Sequence, residues 1–375
     1  MNIDMLVFGE DWGSHPSSTQ HLIRQWLPKQ DILWINSLGL RRPKITTHDA
    51  KRAFNKLSRM LSTDHQADPA LATESAPMVV NPHAISWPGN PLVRKLNQTL
   101  LTQQLRPFLQ NSSTAPILWT SLPSAVDLVG NLGERAAVYY CGDDFSALDG
   151  VDHKPVTYME NELAEKVQLI ITASDKLAAK FPQEKTVVLP HGVDYELFST
   201  PTVRASDLPS SPVAGFYGAL AGWFNQPLMI EVAKRLPHWT FVLIGPAHTD
   251  ISPLLKQPNI RWLGPKPHHA LPHYSQHWDV GLLPFLNNAQ IEACNPLKLR
   301  EYLAAGKPIV STDFPALDGY RDQISVAQHA IDFAQQIENS LTNQNFLTRK
   351  ARQQSVANES WQHKAAQLHD ILQQL

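Results

Sequence analysis

Two cysteines in 375 residues, Cys141 and Cys294, give no basis for a disulfide framework and make a reducing cytoplasm the expected compartment. No apolar run approaches the roughly 18–20 residues that a membrane-crossing helix needs, so the expectation is a soluble or peripheral protein. The N-terminus, MNIDMLVFGEDW, turns acidic after a short apolar run and lacks the basic flank of a signal peptide. Neither sign of charge dominates. The 32 Lys and Arg against 34 Asp and Glu leave a net charge of −2, which removes the global basic field that would hold nucleic acid or an anionic bilayer non-specifically. No G-x-G-x-x-G follows a predicted strand and no P-loop occurs, which argues against a dinucleotide oxidoreductase or an NTPase. A local basic stretch does stand out: RRPK at 41–44, then Lys51, Arg52, Lys56 and Arg59. It fits a solvated helix face, or contact with anionic lipid.

What is present is an alternation. With 43% hydrophobic and 18% charged residues the chain reads as globular, and its length favours two domains. Short apolar runs at Met5–Phe8, Ile32–Ile35, Met78–Val80, Ile117–Thr120, Ala137–Tyr140 and Leu169–Thr172 alternate with helical spacing such as Ser18–Trp26 and Leu92–Phe108. Val187–Leu189 closes this first series. The pattern predicts parallel sheets flanked by helices. Residues 199–212, STPTVRASDLPSSP, read as a linker. Strands then restart at Ala214–Tyr217, Thr240–Ile244, Ile260–Trp262, Val280–Leu283 and Ile309–Ser311, and the tail from Gln328 reads as helices.

The most informative stretch is CNPLKLREYLAAGKPIVST, 294–312. Asn295 stands where an N-cap belongs and Pro296 at the first helical position, where its missing N–H costs nothing. Gly306 suits the C′ position and Pro308 the stop beyond it. Lys298 and Glu301, three apart, share one helix face. A helix start offers N–H groups and a positive dipole end to an anion, and Lys298 adds a full charge. Glu301, one turn on, can accept two hydrogen bonds from a diol such as a ribose. The same spacing also fits a surface Lys–Glu pair on an ordinary amphipathic helix, worth about 0.3 kcal/mol.

PLKLREYLAAGKPIVST resembles the donor-site helix of GT-B glycosyltransferases, in the branch similar to teichuronic-acid and exopolysaccharide sugar transferases. Further matches stand in order: LPHGVDYELF (189–198), GFYGALAGWFNQPLM (215–229), WTFVLIGP (239–246) and WLGPKPHHALPHY (262–274). The resemblance implies an α/β GT-B fold, two Rossmann-like doubly wound domains facing across a cleft. The expected divisions are an acceptor-side domain at 1–198, the linker at 199–212, a nucleotide-sugar domain at 213–345, and helices at 346–375 crossing back to the first domain. It assigns Lys298 to a pyrophosphate and Glu301 to the donor ribose, with a UDP- or GDP-sugar as donor, no cofactor, no catalytic metal and no nucleic acid.

Strand-end loops should line the donor pocket. In GALAGWF, Gly218 lets the backbone approach a phosphate, with Trp223 close by. Family members of the better-known retaining branch place Arg and Lys after this strand, whereas this chain has Ala219, Leu220 and Gly222, so more of the charge falls to Lys298. Gly245 marks the second loop, the backbone of Lys266 to His268 could read a nucleobase edge, and Pro284 leads toward the helix. Many retaining relatives show E-x7-E; the matching position here is Ala293, with Glu292 one residue out of register. His268, His269, His273 and His277 invite a metal reading, but the resemblance places them on the exposed helix after the base-binding loop.

Glycosyl transfer needs a base for the acceptor hydroxyl. VYYCGDDFSAL, 138–148, resembles the family's Y-D-x-x-D-D loop with Tyr140 in place of the first Asp, and Asp143 is the candidate base. An Asp at that junction also suits a helix N-cap. Asp11, in GEDWGSHPSSTQH (9–21), is the alternative base, and Trp12 and Ser18 to His21 are candidate contacts. Ala293, and WTSLP (119–123) where retaining relatives carry a His, tilt toward inversion. The leading expectation is a transferase extending a lipid-linked or polysaccharide acceptor at the cytoplasmic face, with peripheral membrane association. The alternatives are a non-catalytic GT-B assembly protein and a nucleotide-sugar epimerase.

Overall fold

The computed structural model describes residues 2–14, 17–37, 76–87, 89–110, 112–148, 151–210, 212–342 and 345–375. The basic stretch at 41–59 and all but the end of the polar loop at 62–77 lie outside them. The described chain forms two compact units, Met1–Leu189 with Leu368–Leu375, and Pro190–Gln367.

The first unit is built on a parallel sheet of seven strands in the order β3-β2-β1-β4-β5-β6-β7. They are β1 (Met5–Phe8), β2 (Ile32–Ile35), β3 (Met78–Val80), β4 (Ile117–Thr120), β5 (Ala136–Cys141), β6 (Leu169–Thr172) and β7 (Thr186–Val188). Every residue of β1, β2, β4, β5 and β6 is buried, while the edge strands β3 and β7 are half-buried. That is the signature of a sheet covered by helices on both faces: its central strands are continuous apolar runs because neither face meets water. Helices Ser18–Trp26, Pro91–Leu109 and His153–Lys166 connect the strands. The order reverses between β1 and β4, which makes that edge the switch point where an open α/β sheet receives ligands.

The second unit repeats the plan with six parallel strands in the order β10-β9-β8-β11-β12-β13. They are β8 (Val213–Tyr217), β9 (Thr240–Ile244), β10 (Ile260–Trp262), β11 (Val280–Leu283), β12 (Ile309–Ser311) and β13 (Ser325–Val326). Its switch point lies between β8 and β11. One hydrophobic cluster, running in sequence from Val193 to Val356, fills the space around this sheet.

The division falls at 189–190 rather than 198, because Phe198, fully buried, belongs to the second core with Phe216 and Tyr217. The stretch 199–212 also packs on that unit: Thr202 N–H donates to Gln276 Oε1 at 3.0 Å, and Leu208 joins the core. Of the tail, only 368–375 group with the first unit. Helix Phe346–Ser355 stays with the second, where Gln353 Nε2 donates to the Ala304 carbonyl at 3.1 Å.

Candidate functional site

At the carboxyl end of β8 the chain turns through Gly218 with φ +136°, and at the end of β9 through Gly245 with φ +135°. Only glycine reaches these conformations readily. Space makes the same demand. A Cβ on Gly245 would lie 2.1 Å from the Gly218 carbonyl oxygen, and one on Gly218 would lie 2.2 Å from Cε of Lys298. The Gly218 N–H donates to the Ile244 carbonyl at 2.8 Å and the Gly245 N–H to the Gly264 carbonyl at 2.9 Å, fixing both loops. Two bare backbone turns and a lysine stem therefore stack at the switch point.

Lys298 belongs to helix Leu297–Ala304. Its ammonium lies 5.5 Å from the Trp223 ring and 5.9 Å from the Phe216 ring, a cation resting on aromatic faces. Trp223 is itself held edge-on against Phe285 at 5.2 Å. The helix begins differently from the expectation. Its N-cap is Pro296, with no side-chain cap, and Asn295 Oδ1 instead accepts a hydrogen bond from Arg300 Nη1 at 2.6 Å. The reason is burial: Arg300 is 3% exposed and needs acceptors, which Asn295 and Glu359 supply. The helix start thus carries its dipole without a capping oxygen in the way of an anion. Its other end closes as expected in a Schellman turn, with Gly306 at φ +73° and the Lys307 N–H on the Tyr302 carbonyl at 2.9 Å.

Glu301 is 6% exposed, and each oxygen has a partner. Oε2 accepts from the Tyr217 hydroxyl at 2.7 Å, and Oε1 sits 3.1 Å from His268 Nε2. Burial alone would push this carboxyl up, but the His268 contact, the Tyr217 hydroxyl and the Lys298 charge outweigh it and hold it below the ordinary range. Tyr217 is shifted the other way, well upward by burial and by the Glu301 charge, so it remains a donor. Each carboxylate oxygen keeps a second lone pair for a diol. Tyr217 and His268 escaped the sequence reading as partners of Glu301, since 84 and 33 residues separate them from it and no spacing rule joins them. Asp194, the N-cap of helix Tyr195–Ser199, lies in the same field; burial raises its carboxyl and Glu301 adds to the rise, against the lowering by the Leu197 N–H and His268.

Pro284 is buried at the end of β11, its carbonyl accepting from Asn225 N–H at 2.8 Å. The Lys266 side chain turns to Asp207 at 3.0 Å and lies over the Tyr274 ring. Ala293 ends a short helix, Ala289–Ala293, that breaks at the extended Cys294, so Glu292 and Glu301 stand on separate helices. The histidines have other duties: His273 Nδ1 and His277 Nε2 each sit 2.9 Å from a carbonyl, of Val203 and Thr202 respectively.

In the first unit, Asp11 and Asp143 follow β1 and β5 at the same sheet edge, with β4 between them. The strands they follow are two strand spacings apart, about 10 Å at Phe8 and Tyr139. Both are exposed. Asp11 Oδ1 accepts from Ser37 N–H at 3.3 Å, and Trp12 packs edge-on against Trp34. Asp144, beside Asp143, is committed to structure: it accepts from Lys180 Nζ at 2.8 Å and from the Ser146 hydroxyl at 2.6 Å.

Residues 211–343, which hold the whole Gly218–Gly245–Lys298–Glu301 arrangement, match the family described as Glycosyl transferases group 1. This stretch is a group 1 glycosyltransferase domain. A relative in Bacillus subtilis (strain 168), TuaH, provisionally named a teichuronic acid biosynthesis glycosyltransferase, is 29% identical over 284 residues, covering 68% of this chain and 71% of its own. Among solved structures, Anabaena HepE in complex with UDP-glucose aligns with TM-score 0.69 and 16% identity over 100% of both chains. Sucrose-phosphate synthase from Thermosynechococcus elongatus aligns with TM-score 0.70 and 13% identity over 100% of this chain and 99% of its own. At these identities the structures establish the fold, which is GT-B. The chain's two switch-point sheets are that fold's two Rossmann-like halves.

Proposed function

We propose that the protein transfers a sugar from a nucleotide-diphosphate donor, most readily a UDP-sugar, to a hydroxyl of a lipid-linked or polysaccharide acceptor in cell-envelope or exopolysaccharide synthesis. The observation that carries the donor half is Glu301, buried and ionised with a donor on each oxygen, one turn from Lys298 over bare Gly218. Lys298 and the uncapped helix start would neutralise the pyrophosphate, whose charge grows as the glycosidic bond breaks. Glu301 would hold the ribose. UDP is preferred to GDP because HepE was solved with UDP and UDP-glucose. The acceptor class follows the naming of TuaH.

Asp143 would accept the acceptor proton, with Asp11 the alternative. What supports Asp143 is its exposed position just past the carboxyl end of β5. The site chemistry, a lysine and a helix dipole facing the diphosphate, serves leaving-group stabilisation without a metal. Ala293 at the place of the retaining glutamate favours inversion. The acceptor is met at the cytoplasmic face of a membrane, where the enzyme associates peripherally.

Calorimetric titration with UDP and an assay for released nucleotide test this together. Glu301→Gln should weaken UDP about tenfold or more, the loss of a charge-assisted acceptor pair. Asp143→Asn should leave UDP affinity unchanged and cut turnover by at least about a hundredfold. Full turnover in Asp143→Asn removes that residue from the mechanism. UDP binding without any turnover across sugar donors and glycan acceptors would instead identify a binding protein.

A further inference from the structure

The exposed large hydrophobic side chains of the first unit, among the described residues, are Ile85, Trp87, Leu92, Leu96 and Tyr158, between 44% and 81% exposed. All lie on one loop and two helices that are tied together. Asn97, on helix Pro91–Leu109, clamps Ile85 through both its N–H and its carbonyl at 2.9 Å, and Gln104 does the same for His83 at 2.9 and 3.2 Å. The loop therefore runs along the helix. Arg94 joins that helix to His153–Lys166 through Glu162 at 2.5 Å, and binds Asp127 through two further bonds. Tyr158 is one turn before Glu162, on its face of the helix. A shallow cleft lined by Ile85, Trp87, Arg94 and Met159 marks where the three segments meet.

We propose that this face is a bilayer-docking surface, with Leu92, Leu96, Ile85 and Trp87 entering the headgroup region of an anionic membrane. The charges fit that occupant. Both carboxylates at the centre, Asp127 and Glu162, are taken up by Arg94, while Lys95 and Lys154 stand exposed beside Leu92 and Tyr158. Glu165 is two turns away from Tyr158. The relief fits too: Leu92 at 81% exposure protrudes, which suits insertion into a soft phase. Trp and Tyr, with an apolar body and a polar tip, are the side chains that rest at membrane interfaces. No helix among the described residues is long and apolar enough to cross a membrane, so engagement through this face is peripheral. The role rests on the proposed lipid-linked acceptor; the surface itself does not.

Vesicle flotation with the full chain is the test, comparing phosphatidylglycerol–phosphatidylcholine vesicles with phosphatidylcholine alone at low and high salt. The wild type should float with the anionic vesicles, less so in high salt. Leu92→Glu with Leu96→Glu should lower partitioning about tenfold or more, and Lys95→Glu with Lys154→Glu should abolish the preference for anionic lipid. Both pairs are surface changes, so melting temperature and nucleotide release should match wild type. Equal flotation of Leu92→Glu/Leu96→Glu and wild type overturns the proposal. So does a wild type that ignores vesicles, in particular one that is a dimer by light scattering which the same pair dissociates, since the face then belongs to a second copy. If flotation and its loss hold while no donor is ever consumed, the docking surface stands and the transferase reading fails.

Discussion

Lys307 shows how one side chain can carry a penalty that the fold tolerates. It follows Gly306 at the end of helix Leu297–Ala304, where the Schellman turn fixes its backbone. Burial lowers its pKa to about 8 from 10.5, and Arg349, Arg352 and Arg204 push the same way against the opposing Asp279. Between those two values the unfolded chain binds the proton that the folded chain has lost, so stability rises with pH through that window. Below pH 8 the full cost applies, roughly 3 kcal/mol for a shift of this size. Lys307→Met should therefore raise unfolding free energy by roughly 2–3 kcal/mol at pH 7, and the gain should fade as pH approaches 10.5. Urea denaturation of both proteins at neutral and at alkaline pH measures this. A gain that ignores pH would show that packing, not charge, limits the position. Glu301 runs the other way: its lowered carboxyl contributes stability at neutral pH that is lost only as acid protonates it, so Glu301 is an anion at neutral pH.

At the scale of elements, the loop after β5 depends on a buried network. Glu160, wholly buried on helix His153–Lys166, accepts from Tyr139 at 2.7 Å and from Lys180 at 2.9 Å. Lys180 also holds Asp144, which burial would raise but which Lys180 and Ser146 keep below its ordinary range. One ammonium thus pins the loop that presents Asp143 to a helix beneath it. Lys180→Met leaves an uncompensated carboxylate in the core and should cost about 3 kcal/mol, of which adding Glu160→Gln should recover about 1–2. A double-mutant cycle by chemical denaturation gives the coupling; additive losses would mean that the two act separately. None of this network could be read from the sequence, because residues 139, 144, 160 and 180 follow no local period. Strands were legible to within a residue or so wherever an apolar run is buried on both faces, as at Met5–Phe8 and Thr240–Ile244. β13, two half-buried residues, has no such run and went unread. The helix start at 295–297 was misplaced because the inward turn of Arg300, which claims Asn295, is a tertiary fact. Lys298 and Glu301 were legible because i,i+3 spacing is local; Tyr217 and His268 were not.

At the scale of the molecule, the two units have separate cores, and the proposed donor residues Gly218, Lys298 and Glu301 all belong to one of them. A ligand that binds only the folded second unit stabilises it by about 2.7 kcal/mol at a concentration one hundred times its Kd. Amides of β8, β9 and β11 that exchange only through opening of that unit should slow by about a hundredfold under saturating UDP. Amides of β1, β4 and β5 should not change, because their exchange is governed by a core that makes none of the proposed donor contacts. Helix Trp361–Leu372 begins in the second unit and ends in the first, so its amides report on the join: early residues such as Lys364 should follow β8, and the last turn should follow β1. Hydrogen exchange with and without UDP resolves all three sets in one experiment. Equal slowing in both sheets would mean that the units open together, and the division into two units would then describe architecture and not energetics.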